Sequence, residues 1–301
     1  MNQALHKQLL AIVGEDGVKE NEPMKSHTTF KVGGPADFFL MPQTMEQVQK
    51  IIKLAKQEHI PYLFIGNGSN LLVSDHGIRG MVITMMGMNQ IKVEETCVRA
   101  GAGVSLAALA KEALRHELQG FEFAAGIPGT LGGAVHMNAG AYGGEMKDVI
   151  KEATVLDKEG TIKNLTKEQL ELGYRTSVIG KNQYVVLEAV LELTKGEKEE
   201  IQSNMEELAR RRREKQPLEY PSAGSTFKRP EGYFAGKLID DAGLRGFQLG
   251  GAQVSDKHCG FIINTGNATA LDIQRLIVEV QNRVEDKFGV RLETEVKFVG
   301  F

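Results

Sequence analysis

The sequence predicts an α+β protein of two domains, and three observations lead to that prediction. The chain has 301 residues, whereas an average domain has roughly 100–200. Strand-like apolar runs and segments with helical periodicity follow one another along the whole chain, without an internal repeat. A highly charged segment at 197–216 then interrupts this pattern. We therefore predict a first domain over residues 1–196 and a second domain, of the α/β type, over residues 197–301.

The composition excludes several classes of protein. Hydrophobic residues make up 42% and charged residues 25% of the chain, as in ordinary globular proteins. The 36 basic and 39 acidic residues give a net charge of −3, which argues against binding to nucleic acid or to an anionic membrane. No stretch approaches the ~20 apolar residues of a membrane span. Residues 1–17 predict an amphipathic helix and not a signal peptide, so we expect a cytoplasmic protein without membrane insertion.

The elements of the first domain follow from periodicity and from helix-capping residues. In order, they are a helix over 44–58 capped by Thr44, strands at 62–65, 81–85 and 91–100, a helix over 104–118 capped near Ser105, and strands at 148–157 and 184–194 that flank a short helix at 166–171.

The second domain begins with the charged helix over 197–216, before Pro217. The run from Arg210 to Arg213 is basic, but Glu206 and Glu207 lie four residues before its first two members, a spacing that predicts ion pairs on a solvated helix face. A loop, a helix over 234–241, a strand at 258–264, a helix over 269–288 and a strand at 290–299 are predicted to follow.

Glycine is the unusual residue, with 34 in the chain. Two glycine motifs are weak evidence for a nucleotide-binding site. RAGAGVSL (99–106) has Leu106 where a dinucleotide fingerprint needs a small residue, so Gly101 and Gly103 are typical of a tight strand-to-helix turn. GYFAGK (232–237) is one residue short of a phosphate loop and is followed by Leu238 in place of Ser or Thr.

Two longer glycine segments carry more information. GNGSN (66–70) follows an apolar strand and predicts a run of backbone N–H donors, which is typical of an anion-binding nest. In GIPGTLGGAVHMNAGAYG (126–143), a helix that begins near Thr130 would direct its first amides at a phosphate. Tight turns with positive φ could explain either segment alone. Two such loops in one domain favour a large phosphate-bearing cofactor.

These segments, taken together with TFKVGGPAD (29–37), GYRTS (173–177), AGSTFKRP (223–230) and LETEVKFVG (292–300), resemble the UDP-N-acetylenolpyruvoylglucosamine reductase family. The resemblance runs from about residue 25 to the C-terminus. It implies a two-lobed FAD-binding domain of the vanillyl-alcohol-oxidase type, with lobes at roughly 1–80 and 81–196, followed by an α/β substrate-binding domain. The chain leaves no room after Gly180 for the tyrosine-bearing segment of the longer form, so it resembles the shorter form.

The resemblance also implies cofactors and an activity. FAD would be bound without a covalent link, because GNGSN contains no histidine, and NADPH would be the co-substrate. The reaction would reduce the enolpyruvyl ether of UDP-N-acetylglucosamine to UDP-N-acetylmuramate for peptidoglycan synthesis, and hence serve cell shape and division. The residues implied to bind FAD are Gly66, Asn67, Gly68, Ser69, Asn70, Gly101, Gly126, Ile127, Pro128, Gly129, Thr130, Gly133, Ala134, Asn138, Gly140 and Ala141.

Three catalytic residues are carried over by the resemblance. Arg175 would neutralise the substrate carboxylate, Ser225 would donate a proton to carbon, and Glu295 would assist. Periodicity places both Glu293 and Glu295 on the polar face of a strand and does not choose between them; only the family motif selects Glu295.

Substrate contacts are predicted for Tyr174, Lys228, Arg229, Lys237, Gln253 and His258, from their position in the chain. His258 and Cys259 have no partners at the spacing of a metal site, and we expect no metal. We expect a monomer or a weak oligomer. Two alternatives stay open at this point: another FAD-dependent oxidoreductase of the same superfamily, which would lack the Arg175, Ser225 and Glu295 set, and a non-catalytic nucleotide-sugar-binding protein.

Overall fold

The computed structural model describes residues 3–301, and the chain divides into two compact units. The first unit contains the segments Met1–Glu20, Phe38–Asn67 and Gly80–Arg212. The second contains Asn21–Asp37, Gly68–Arg79 and Arg213–Phe301. These units interleave along the chain, whereas the predicted domains 1–196 and 197–301 follow chain order. The division into those domains stays a prediction.

The helices and strands are short to medium in length. The α-helices are α1 (Gln3–Val13), α2 (Met45–Gln57), α3 (Leu106–Arg115), α4 (Leu131–Met137), α5 (Met146–Val149), α6 (Val178–Asn182), α7 (Lys198–Lys215), α8 (Ala235–Asp241) and α9 (Ala270–Phe288). The strands are β1 (Val18–Pro23), β2 (Pro35–Leu40), β3 (Tyr62–Ile65), β4 (Leu71–Val73), β5 (Ile78–Thr84), β6 (Ile91–Glu94), β7 (Cys97–Gly101), β8 (Leu118–Gln119), β9 (Gly140–Ala141), β10 (Gly144–Glu145), β11 (Ile150–Leu156), β12 (Ile162–Thr166), β13 (Val185–Glu192), β14 (Thr194–Lys195), β15 (Ser222–Ser225), β16 (Gln248–Leu249), β17 (Ala252–Val254), β18 (Phe261–Asn264) and β19 (Lys297–Val299).

The first unit is built mainly on a five-stranded antiparallel sheet in the order β12-β11-β13-β7-β6. The buried face of this sheet packs with α3 and α4 into one apolar core, which includes Val98, Leu109, Leu131 and Leu187. A second core joins α1 and α2 to a sheet of order β1-β2-β5-β3, in which β3 and β5 are parallel.

The second unit is built on an antiparallel sheet of order β15-β18-β17-β16. The amphipathic helix α9 buries Ile273, Leu276 and Val280 in a core with α8 and with this sheet. Two residues from the early part of the chain, Phe30 and Leu72, also lie in this core. A parallel pair, β4 with β19, joins residues 71–73 to the end of the chain.

Helix starts are where the sequence predictions agree best with the structure, because caps are local hydrogen bonds. The Thr44 and Ser105 side chains accept from the backbone N–H of Gln47 and Ala108, at 3.2 Å in both cases. Helix α9 begins after a capping box made by Thr269 and Asp272. The helix predicted for residues 1–17 is α1; its first two residues lie outside the described part of the chain.

Three predictions were wrong in detail. The strand predicted at 91–100 is the hairpin of β6 and β7, since Glu95 adopts a left-handed φ of 52° and turns the chain. The helix predicted at 166–171 is a turn after β12, in which the Thr166 backbone N–H donates to Gln169 Oε1. The strand predicted at 290–299 is regular only in β19.

Candidate flavin and substrate site

The first two residues of GNGSN, Gly66 and Asn67, meet the 126–143 segment within the first unit. The Asn67 side-chain amide donates to the Pro128 carbonyl at 3.1 Å. A Cβ atom at Gly66 would overlap the Thr130 hydroxyl, so Gly66 is glycine because Thr130 lies directly against it. The segments were predicted to bind one cofactor, and the structure brings their residues Gly66, Asn67, Pro128 and Thr130 together.

The Thr130 hydroxyl is the polar group that most needs a partner here. Thr130 is only 2% exposed, and its Oγ1 atom has no hydrogen-bond partner among residues 3–301. Buried hydroxyls are normally hydrogen-bonded, and an exception calls for an explanation, such as a functional role or a bound partner. The residues around the glycine segments thus fit a polar, phosphate-bearing ligand: they expose backbone, carry short side chains and leave one buried hydroxyl unbonded.

Helix α4 begins after Thr130, as the sequence predicted, but its first amides are differently used. The Leu131 N–H donates to the Val104 carbonyl at 2.8 Å, and the Gly132 N–H donates to the Ala102 carbonyl at 2.9 Å. These two amides hold α4 against the start of α3 and do not point to a phosphate. Packing also explains why residue 101 is a glycine, since a Cβ there would overlap the Met88 carbonyl.

Asn138 joins the 126–143 segment to the GYRTS motif. It ends α4 with a left-handed φ of 47°, and it is 1% exposed. Its side-chain amide donates to Glu145 Oε2 at 2.7 Å and to the Gly173 carbonyl at 3.1 Å, while its Oδ1 accepts from the Lys147 N–H at 2.9 Å. The side chain of Asn138 is therefore engaged inside the protein, where it joins the end of α4 to Glu145, Lys147 and Gly173.

Arg175 lies in the tight turn that this network supports. Gly173 and Thr176 pair across the turn, and Arg175 itself has a left-handed φ of 54°, which is strained for a residue with a Cβ. Its guanidinium lies 5.4 Å from the centre of the Tyr174 ring, which is 57% exposed. The positive charge of Arg175 also helps to lower the pKa of Glu145, after the larger effects of Lys147 and Asn138.

Ser225 and Glu295 come together in the second unit. The Glu295 N–H donates to the Thr226 carbonyl at 2.8 Å, and Phe227 forms a bridge with Thr294. Thr226 is fully buried, with its Oγ1 accepting from the Ile262 N–H, so the neighbouring Ser225 faces solvent. The strand bulges between Ser222 and Ser225, where Gly224 has a φ of 74°.

The structure distinguishes the two glutamates that periodicity left equal. Glu293 is exposed and pairs with Lys228 at 2.9 Å, and this ion pair lowers the pKa of Glu293. Glu295 is half-buried, and its carbonyl accepts from the Asn70 side-chain amide at 3.0 Å. The Lys297 N–H in turn donates to the Asn70 carbonyl at 2.9 Å. Asn70, predicted as a flavin contact, thus holds the Glu295 segment.

Of the other residues of GNGSN, Gly68 is buried and Ser69 is half-buried, and a Cβ at Gly68 would overlap the His27 carbonyl. The predicted substrate contacts of the second unit already interact with other residues of the protein. Lys228 and Lys237 form ion pairs with Glu293 and Asp241, and Arg229 stacks on the Phe234 ring at 4.0 Å. Gln253 donates to the Gly246 carbonyl at 3.2 Å, and His258 Nδ1 accepts from the Gly260 N–H at 3.1 Å.

Metal and membrane sites are not indicated in the part of the chain that the structure describes. Residues 3–301 contain no group of three or more His, Cys, Asp or Glu side chains able to hold a metal ion. Burial lowers the pKa of His258 and raises the pKa of the neighbouring Cys259 to about 11, so burial disfavours the charged form of each group. Within the same residues, none of the helices has the length and apolar character needed to cross a bilayer.

Comparison with known proteins defines first the class and then the family. Residues 36–166 match the family described as "FAD binding domain", and residues 216–299 match "UDP-N-acetylenolpyruvoylglucosamine reductase, C-terminal domain". The alkyldihydroxyacetonephosphate synthase structure shares the fold over 65% of this chain and 44% of that chain, with a TM-score of 0.51 and 17% identity. The fold is that of the FAD-binding flavoproteins of the vanillyl-alcohol-oxidase type, as the resemblance implied.

The closer matches are to one enzyme. The chain is 55% identical to UDP-N-acetylenolpyruvoylglucosamine reductase from Clostridioides difficile over 300 residues, 99% of each chain. The crystal structure of the enzyme from Thermus caldophilus matches with a TM-score of 0.79 and 37% identity, over 92% of this chain and 97% of that one. The chain belongs to the UDP-N-acetylenolpyruvoylglucosamine reductase family.

Proposed function

We propose that the protein reduces the enolpyruvyl ether of UDP-N-acetylglucosamine to UDP-N-acetylmuramate, with NADPH as co-substrate and bound FAD. Membership of the family supports the reaction. The structural observation that supports it most is in the second unit: an exposed hydroxyl, Ser225, and a half-buried carboxyl, Glu295, lie on segments joined by the hydrogen bond between the Glu295 N–H and the Thr226 carbonyl.

FAD would be held by the two glycine segments. When bound, it supplies the two-electron chemistry that links NADPH to the substrate. Backbone groups of residues 66–70 and 126–143 would contact it, and the unbonded Thr130 hydroxyl offers one donor. Asn138 contributes by fixing the loop, since its side chain is already bonded to Glu145 and Gly173.

Arg175 neutralises the substrate carboxylate. Reduction of the double bond leaves negative charge delocalised into that carboxylate, and a planar guanidinium suits a carboxylate whose charge grows in the transition state. The strained turn from Gly173 to Thr176 holds Arg175 in place, and the Asn138 side chain anchors the turn through the Gly173 carbonyl. Because the guanidinium is already held in position, less reorganisation of the protein is needed to reach the transition state.

Ser225 donates the proton that completes the reduction, and Glu295 assists it. A serine hydroxyl is a weak acid, so its conjugate base needs stabilisation by neighbouring groups. The hydrogen bonds of Thr226 on both sides fix the backbone at Ser225. Asn70 and Lys297 fix the backbone around Glu295 in the same way.

The nucleotide part of the substrate would be recognised by polar side chains. We propose for this role Tyr174, Lys228, Arg229, Lys237, Gln253 and His258. Lys228 and Lys237 would exchange their present ion pairs with Glu293 and Asp241 for phosphate oxygens. We further propose that the protein acts in the cytoplasm as a monomer or weak oligomer, in the synthesis of cell-wall precursors that supports cell shape and division.

The test separates the two half-reactions. Ser225→Ala should slow the oxidation of reduced flavin by the enolpyruvyl substrate by about 10²–10⁴-fold, as expected for loss of a general acid. The reduction of the flavin by NADPH should be unchanged. Ser222→Ala, at the other end of the same strand, is the matched control. Equal losses in both half-reactions would refute the role given to Ser225.

A further inference from the structure

One arginine of the basic run in α7 differs from its neighbours. Arg210, Arg211 and Arg213 are exposed, whereas Arg212 is half-buried. Glu207 pairs with Arg210 at 2.8 Å and with Arg211 at 2.7 Å, and these pairs lower the pKa of Glu207 to about 2. The predicted pair of Glu207 with Arg211 is present, and Glu207 also pairs with Arg210, for which Glu206 was the predicted partner. These ion pairs account for the first two arginines and leave Arg212 unexplained.

The side chain of Arg212 packs against Gly126, the first residue of the 126–143 segment. A Cβ atom built at Gly126 would come within 3.1 Å of the Arg212 Cδ and 3.5 Å of its Nη1. Gly126 has an ordinary negative φ, so backbone conformation does not demand glycine there. The absence of a side chain leaves room for the arginine, whose stem and guanidinium lie across the start of the 126–143 segment.

Among residues 3–301, no carboxylate lies within 4.0 Å of the guanidinium nitrogens of Arg212, and no acidic side chain acts on its pKa. Burial lowers the pKa of the guanidinium, and only Tyr142, in the same glycine segment, acts against that effect. Removing a charge from water without a partner costs free energy. Such a group is expected where an anion completes the site.

A second observation in the same segment points to a ligand. Thr130, four residues after Gly126, has a buried hydroxyl without a hydrogen-bond partner in the described part of the chain. Tyr142, near the other end of the segment, has a left-handed φ of 54° and is followed by Gly143 with a φ of 93°. These two residues form the loop of the β9–β10 hairpin, in which Ala141 pairs with Gly144, so the hairpin turn accounts for their positive φ values.

We propose that Arg212 binds a phosphate group of a nucleotide held at the 126–143 segment. This proposal rests on the function proposed above, which supplies two nucleotide diphosphates: that of FAD and that of the UDP-sugar substrate. Both present the same chemistry to a guanidinium, which can bind two phosphate oxygens at once in a fixed planar geometry. A lysine, which carries a point charge on a flexible stem, would replace this two-point binding of a phosphate only in part.

Four variants test the proposal. Arg212→Gln removes the charge, Arg212→Met removes it but keeps an apolar stem over Gly126, and Arg212→Lys keeps a charge without the planar fork. Arg211→Gln is the matched control, because its residue is the exposed neighbour paired with Glu207. The purified holoproteins are compared for melting temperature, for the dissociation constant of FAD measured by flavin fluorescence on dilution, and for the dissociation constant of UDP measured by calorimetry.

The Arg212→Gln and Arg212→Met variants should bind one of the two ligands about 10- to 100-fold more weakly, the loss expected for a charge-assisted hydrogen bond. The Arg212→Lys variant should lie in between, and the difference from wild type should shrink in high salt. Weaker FAD binding assigns the phosphate to the cofactor, and weaker UDP binding assigns it to the substrate.

The proposal is overturned if both dissociation constants of Arg212→Met match those of Arg211→Gln, because the arginine stem would then be the part that matters. It is also overturned if the losses do not respond to salt. These results differ from a failure of the proposed function itself, which would appear as wild-type protein that binds FAD but does not reduce the enolpyruvyl substrate.

Discussion

Glu293 and Glu295 differ in burial and in their partners, although the sequence pattern treats them alike. Both lie on the polar face of the segment by sequence periodicity, but Glu293 is exposed and paired with Lys228, whereas Glu295 is half-buried beside Thr226 and Asn70. These hydrogen bonds fix the backbone at Glu295, and partial burial is one of the conditions under which the pKa of a carboxyl can be tuned for catalysis. The choice of Glu295 over Glu293 as the catalytic residue stays a proposal.

We expect Glu295→Gln to slow the oxidation of reduced flavin by the substrate by about 10²–10⁴-fold, since a general acid–base group would be lost. Glu293→Gln is the control and should change that rate by less than about threefold, because it breaks only an exposed ion pair. Stopped-flow absorbance of the flavin measures both rates. A larger loss in Glu293→Gln than in Glu295→Gln would reverse the assignment.

The two cysteines should differ sharply in reactivity. Cys97 is half-buried at the start of β7, whereas Cys259 is buried and its pKa is raised to about 11, mainly by burial. The thiolate is the reactive form. In the folded protein at pH 8, we expect an aromatic disulfide reagent to modify Cys97 and not Cys259, and in denaturant to modify both. Cys97→Ser should abolish the reaction of the folded protein; rapid modification that survives this change would contradict the burial of Cys259.

Contacts between residues that are distant in sequence cannot be predicted from local motifs. Asn138 is predicted as a flavin contact, and that prediction does not reveal the bonds of its side chain to Glu145 and Gly173. No pattern near Asn70 signals its bond to the Glu295 carbonyl, 225 residues away. Arg212 could have been singled out only by elimination, because the Glu207 pairs account for Arg210 and Arg211.

At the scale of elements, α9 is capped twice. Its own capping box is local, but Asp75 also accepts hydrogen bonds from the N–H groups of Ala270 at 2.9 Å and Leu271 at 3.0 Å. A carboxylate at this position also interacts favourably with the helix dipole. Asp75 thereby ties the turn after β4 to the helix that forms the core of the second unit.

Asp75→Ala should therefore lower the free energy of unfolding by about 1 kcal/mol, the usual value of a helix cap. Asp286→Ala is the contrasting variant, because Asp286 is exposed near the C-terminal end of the same helix, where a negative charge is unfavourable. It should leave the stability unchanged or raise it slightly. Urea unfolding followed by circular dichroism measures both, and an equal loss in the two variants would contradict the capping role.

The turn between β11 and β12 gives a pH dependence with a definite sign. The Lys163 ammonium, and then the backbone N–H groups of Thr161 and Glu159, lower the pKa of Asp157. A carboxyl whose folded pKa is lowered contributes stability above its unfolded pKa, about 3.9, and loses it as the pH falls through the folded value. Asp157→Asn should thus be less stable than wild type at pH 7, and the two unfolding curves should converge towards pH 3. A difference that grows on acidification would contradict this account.

Elements with strong local signals were predicted well, and those that depend on tertiary pairing were not. Helices α2, α3 and α9 have caps and an apolar face, so their starts follow from the sequence. Strand β19 is regular over three residues because only Lys297–Val299 pair with Leu71–Val73 in parallel. That pairing sets the length of the strand, and alternation within residues 290–299 does not reveal it.

For the whole molecule, the unusual feature of the composition is 34 glycines in 301 residues. The structure gives several of them a specific reason: Gly66 makes room for Thr130, Gly101 for the Met88 carbonyl, and Gly126 for Arg212. Part of the glycine excess therefore serves the packing of the loops themselves.

The central claim is that this chain is a flavoprotein that passes electrons from NADPH to a UDP-sugar enolpyruvyl ether. The most direct test follows the visible absorbance of the purified protein without oxygen. The account predicts a flavin spectrum that one equivalent of NADPH bleaches and that one equivalent of UDP-N-acetylglucosamine enolpyruvate then restores, with UDP-N-acetylmuramate as product. A protein whose flavin is bleached by NADPH but is restored only by oxygen would contradict it.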